Sequence, residues 1–137
     1  MGGGGDPEYI RELFSSFGPV AVRRMFGGAG VFAEGMMVAL VADGVIYLKA
    51  DEQTVPAFER EGLRPFTYMR RGAEAAVMSY WRMPERLYDD PEELATWARA
   101  ALETAQRAAA RTGSRRKSAA KAGGKAKARA TRTRRRS

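Results

Sequence analysis

The sequence predicts an α+β fold, a two-layer α/β sandwich on an antiparallel sheet, in the order α-β-β-β-α-β-β-α. Three observations carry this expectation. Residues 23–50, RRMFGGAGVFAEGMMVALVADGVIYLKA, hold three short apolar runs separated by Glu34-Gly35 and Asp43-Gly44. Glycine at the second position of a two-residue loop takes φ > 0 without Cβ strain, so both pairs read as hairpin turns. Residues 65–81 form a second β-rich stretch, and Asp-Pro pairs at 6–7 and 90–91 open two amphipathic segments.

The first helix opens at Asp6-Pro7. An aspartate accepts the first free backbone N–H groups, and proline at the first helical position forfeits no bond. Tyr9, Ile10, Leu13, Phe14 and Phe17 recur at helical spacing, and Gly18-Pro19 closes the segment. Val20, Val22 and Arg23–Phe26 lead into Gly27-Gly28-Ala29-Gly30. No GK[ST] or helix start follows this run, so it reads as a bulge or twist in a long first strand rather than a phosphate cradle.

In Met36–Ala42 all seven residues are apolar, so both faces of that strand are expected to be covered. One cover is the chain's own helices. The other is a second subunit, which gives the expectation of a homodimer through the sheet. Val45–Lys49 makes the third strand. A second helix follows Asp51 and ends before Gly62, its regular part starting near Thr54 because of Pro56.

Pro65–Arg70 and Ala75–Trp81 read as a hairpin across Arg71-Gly72-Ala73-Glu74. Arg70, Arg71 and Arg82 read as solvated turn and strand-end charges, with a nucleic-acid surface as the alternative. Asp90-Pro91-Glu92-Glu93 is the clearest helix start, with Glu93 placed to complete a capping box. Leu94, Trp97, Ala98, Ala101, Leu102 and Ala105 form the apolar face of that helix.

Charge is divided sharply along the chain. Residues 111–137 hold twelve Lys/Arg and no acid, whereas residues 1–110 hold twelve Lys/Arg against sixteen Asp/Glu. The segment after Arg111 lacks large apolar residues and is expected to be disordered. This gives three parts: a flexible leader at 1–5, the α+β domain at 6–110, and a basic tail at 111–137. The tail's Arg115, Arg116, Lys117, Lys121, Lys125, Lys127, Arg129, Arg132, Arg134, Arg135 and Arg136 are the candidate nucleic-acid contacts. No base-reading motif accompanies them, so non-specific DNA binding is expected, with RNA or another polyanion as the alternative ligand.

The chain has no Cys and no His. Thiolate nucleophiles, Cys/His zinc sites and Ser-His-Asp arrangements are excluded, and no cofactor is expected. The first ten residues lack the basic and apolar regions of a signal peptide, and no apolar run approaches the roughly 18 residues of a membrane span. Cytoplasmic, nucleoid-associated localisation is the expectation, without a membrane partner. An enzymatic or small-ligand alternative would use Glu34, Asp43, Lys49 and the glycine-run backbone on the sheet surface.

Three segments, RRMFGGAGVF at 23–32, VIYLKAD at 45–51 and 65–102, together resemble the N-terminal domain of the TfoX/Sxy competence-regulator family. Met25, Phe26, Gly27 and Gly28, with Met78, Ser79, Tyr80 and Trp81, carry the likeness most strongly. The resemblance implies a two-layer α/β sandwich without catalytic activity. It also implies a bacterial regulatory role beside a transcription-factor partner, since the better-known members act with a cyclic-AMP-responsive activator. Those members carry a C-terminal helical domain where this chain is expected to carry the basic tail.

Overall fold

The computed structural model describes residues 6–25 and 27–126, with side chains through Thr112. The elements are α1 (Pro7–Leu13), β1 (Ala21–Met25), β2 (Gly28–Ala33), β3 (Met36–Ala42), β4 (Val45–Lys49), α2 (Val55–Arg60), β5 (Pro65–Arg70), β6 (Ala73–Arg82) and α3 (Pro91–Ala126). A 3₁₀ turn, Glu85–Asp89, precedes α3. The six strands form one antiparallel sheet in the order β1-β2-β3-β4-β6-β5.

The α+β sandwich is as expected, but four strands precede α2 instead of three. Gly27-Gly28 does not bulge a long strand. It closes a hairpin in which Met25 pairs with Gly28, and Gly27 sits at φ 79°. Phe26 lies outside the described residues. The irregularity occurs later, where the β2–β3 register shifts between Val31 and Phe32.

Three further hairpin turns share one geometry. Glu34-Gly35, Asp43-Gly44 and Arg71-Gly72 all have positive φ at both residues, the mirror-image turn whose twist suits a hairpin. The β5–β6 connection is therefore two residues, not the expected four, and Arg70 pairs directly with Ala73. Extending β6 back to Ala73 makes it ten residues long.

Local capping follows the sequence closely. The Asp6 carboxylate accepts from the Glu8 N–H at 3.1 Å, and Asp90 accepts from the Glu93 N–H at 3.2 Å. The reciprocal half of the capping box does not form. The Asp90 N–H donates to the Leu87 carbonyl, and the Glu93 carboxylate takes the Trp97 Nε1–H and Arg86 instead. Regular α1 ends at Leu13, and Phe17 and Gly18 both donate back to the Phe14 carbonyl before Pro19.

All three helices bury residues against one face of the sheet. The row Val31–Ala39–Leu48–Trp81 runs across β2, β3, β4 and β6, and beside it lies Ala29–Val41–Ile46. Ile10 and Phe14 of the α1 segment, Phe58 of α2, and Leu94, Ala98 and Leu102 of α3 close over these rows. Phe58 anchors the cluster, with Trp97 edge-on at 5.0 Å and Trp81 tilted at 6.1 Å. Burial of each such side chain contributes about 1.5–3 kcal/mol.

The backbone separates into two units, with the break between Ala105 and Gln106. Composition placed the boundary at 110/111. The α3 backbone runs on to Ala126, and the remaining tail lies outside the described residues.

Candidate functional site

Side chains alternate along a strand, so a sheet with one face in the core turns the other outward. Directly paired residues across β1, β2, β3, β4 and β6 give the outward row Arg23–Gly30–Leu40–Tyr47–Arg82. Met25, Phe32 and Met37 converge over Gly30 on the same side. On the far side of the sheet, Phe66 meets Tyr47 edge-on at 5.0 Å and stacks with Tyr68 at 6.3 Å, an interplanar angle of 21°. Arg70 alternates with Phe66 and Tyr68, and so shares their face.

This face is aromatic and cationic. The Arg23 guanidinium lies 5.1 Å from the Phe32 ring centre, and the Lys49 ammonium 5.0 Å from that of Tyr80. A cation over a ring is attracted by the ring quadrupole. Burial lowers the Lys49 pKa, and the nearby Asp51 charge opposes that shift. Burial likewise raises the Tyr80 pKa.

Strand curvature shapes the face into a groove of about 710 Å³. Met25, Gly27, Gly28, Leu40 and Asp43 line one side, and Phe66, Tyr68 and Met69 the other. Of the groups singled out for an enzymatic reading, Asp43 and the Gly27-Gly28 backbone meet here, whereas Glu34 and Lys49 are not on the lining. A smaller cavity of about 320 Å³ lies between α2 and α3, bounded by Lys49, Thr54, Phe58, Trp97 and Ala100. Among the described residues no cluster of three acidic ligands could hold a metal ion. No helix among them is long and apolar enough to cross a membrane.

The eight motif residues separate by role. Gly27 lies in the β1–β2 turn, Gly28 opens β2 opposite Met25, and Met25 is on the outward face. The Trp81 indole is 4% exposed, and its Nε1–H donates to the Met78 carbonyl at 2.9 Å. The Ser79 carbonyl accepts from the Ala50 N–H at 2.8 Å, joining β6 to the end of β4. The Met78 side chain is exposed, and Tyr80 lies beneath Lys49. Of the tail residues, Arg115, Arg116, Lys117, Lys121 and Lys125 occupy α3 backbone positions. Lys127, Arg129, Arg132, Arg134, Arg135 and Arg136 lie outside the described residues.

The grouping of Arg23, Tyr47, Phe66 and Tyr68 is not legible in the sequence. Alternation within each strand was visible there, but the register that aligns separate strands was not.

Among the described residues, a helix-backed antiparallel sheet with its other face uncovered defines a small α+β domain. Residues 12–105 match the TfoX N-terminal domain family, and the chain belongs to it. It is 29% identical over 102 residues to DNA transformation protein TfoX1 of Aliivibrio fischeri, covering 72% of this chain and 48% of that protein. It is 25% identical over 95 residues to protein Sxy of Escherichia coli, covering 69% of this chain and 45% of that one. The chain thus spans about half the length of the curated relatives it matches.

Proposed function

We propose that this chain is a non-enzymatic regulatory module in which the folded domain makes protein contacts and the basic segment after Arg111 holds DNA without reading its sequence. Family membership supports the regulatory half, since one relative is named for DNA transformation. The observation that carries the DNA half is the twelve Lys/Arg and no acid in residues 111–137. Each phosphate neutralised releases a condensed counterion, so affinity falls steeply with salt. A transcription-factor partner and a place on the nucleoid belong to the same reading.

The test is fluorescence anisotropy of a 20-base-pair duplex against the full chain and a 1–110 truncation. With six to ten phosphate contacts, full-chain affinity falls by about 10³–10⁵ between 50 and 200 mM salt. The truncation loses most of that affinity and most of the salt slope. Equal affinity in both chains overturns the tail's role.

A further inference from the structure

We infer that the open face of the sheet is a docking surface for single-stranded DNA, distinct from the tail and not dependent on it. Rings accessible on one sheet face and cations beside them are the two parts such a surface needs; Tyr68 is exposed, and Tyr47 and Phe66 are half-buried. Aromatic side chains stack on unpaired bases, and cations follow the phosphate backbone. Tyr47, Phe66 and Tyr68 form a continuous run of rings. Arg82 pairs with Tyr47 and Arg70 shares the face of Phe66 and Tyr68, and Arg23 lies on the same side at the β1 end of the row.

The placement of acids points the same way. Glu74 is the one acidic residue on any of the six strands. Its register puts it opposite Met69, on the reverse side from Phe66 and Tyr68, where it accepts from the Thr67 hydroxyl at 3.3 Å. Asp43, in the β3–β4 turn, is the single carboxylate on the groove lining. The net acidity of residues 1–110 therefore sits in helices and turns, and the outward face is cationic.

This charge pattern discriminates among occupants. A second copy docked on the same face would bring two cationic surfaces together, and like-charge juxtaposition is costly. A duplex buries its base faces in its own stack and offers the rings nothing to lie on, whereas a single strand presents them. Ribose recognition works through the 2′-hydroxyl. Apart from the tyrosine hydroxyls and the Asp43 carboxylate in the β3–β4 turn, the outward side chains supply no acceptor for it, since the strands contain no Asn or Gln. DNA is therefore the polymer assigned.

The experiment titrates fluorescein-labelled dT12, rU12 and a 12-base-pair duplex with the full chain at 300 mM salt, where simple phosphate contacts are weakened. The wild type is expected to bind dT12 more tightly than the duplex, and at least as tightly as rU12. Tyr68 is 42% exposed, so Tyr68→Ala leaves the core intact. It is expected to weaken dT12 binding at least about fivefold, the low end for loss of one stack, with duplex binding unchanged. Tyr68→Trp is expected to restore dT12 binding. A full-length variant with Arg132, Arg134, Arg135 and Arg136 replaced by serine is expected to lose duplex affinity and keep its preference for dT12. That arm separates failure of the tail reading from failure of this one. Equal wild-type affinity for dT12 and duplex, tighter binding to rU12, or no effect of Tyr68→Ala on dT12 overturns the proposal. So does a concentration-dependent dimer in sedimentation that Tyr68→Ala dissolves.

Discussion

A Cβ placed on Gly28 would stand 2.1 Å from the carbonyl oxygen of Val41 on the neighbouring strand. That wall is backbone, so it cannot swing aside. Gly28→Ala must therefore push β2 and β3 apart, at about 1–3 kcal/mol or more. The expected result is a Tm lower by at least about 4 °C. Gly30→Ala is the control. There a new Cβ meets Met25 Cε, Phe32 Cε1 and Met37 Sδ, and both thioethers are flexible ends that can shift. Equal melting of Gly28→Ala and wild type would remove the steric account of the Met-Phe-Gly-Gly run.

Trp81 accounts for the second motif. Its indole is buried on the core face, and its one donor is satisfied by Met78 within the β5–β6 irregularity. Trp81→Phe keeps an aromatic ring beside Phe58 but leaves the Met78 carbonyl without that donor, a change of about 1–3 kcal/mol. Trp81→Ala adds a cavity and costs about 3–5 kcal/mol. Chemical denaturation measures both. A Trp81→Phe variant as stable as wild type would show that the hydrogen bond contributes nothing.

Much of this fold was legible because glycine announces turns. Asp43-Gly44 and even Glu34-Gly35, where a carboxylate side chain must adopt φ 53°, form the hairpins their spacing indicates. The turn at Gly27 is not legible in the sequence because the pair preceding the strand is Phe-Gly, which lacks the Asn or Asp that marks such a turn. The 3₁₀ turn at Glu85–Asp89 is too short for periodicity to reveal. It buries Leu87 fully, and its Tyr88 hydroxyl accepts from the Ile46 N–H at 3.3 Å. The open face was hidden for a different reason. Net charge averages over a segment, and only strand register shows that cations and acids lie on different surfaces.

Arg86 links the α2 C-terminus to α3 by pairing with both Glu61 and Glu93. Its hydrogen bond, followed by that of the Trp97 indole, lowers the Glu93 pKa from 4.5. A depressed carboxylate contributes stability above its unfolded pKa and loses it as pH falls through the folded one. Below pH 4.5 the wild type is therefore expected to lose Tm faster than Arg86→Met, in which Glu93 titrates more nearly alike in both states. The site is exposed, so the difference shrinks in high salt. Parallel Tm–pH curves for the two proteins would count against the linkage.

At the alkaline end three groups act in opposite directions. Burial raises the pKa of Tyr80, and of Tyr88, where the Ile46 N–H partly counters it. The unfolded chain ionises these phenols first, so their contribution holds below pH 10 and is lost as pH rises further. Lys49 runs the other way. Burial lowers its pKa from 10.5, so the folded state is relieved as pH climbs through the depressed value and the ammonium discharges. Absorbance at 295 nm should show Tyr80→Phe and Tyr88→Phe each removing one phenol from the latest part of the titration. Lys49→Met removes the compensating group, so its Tm should decline more steeply with alkaline pH than that of the wild type. If Lys49→Met instead declines less steeply, burial does not depress the Lys49 ammonium.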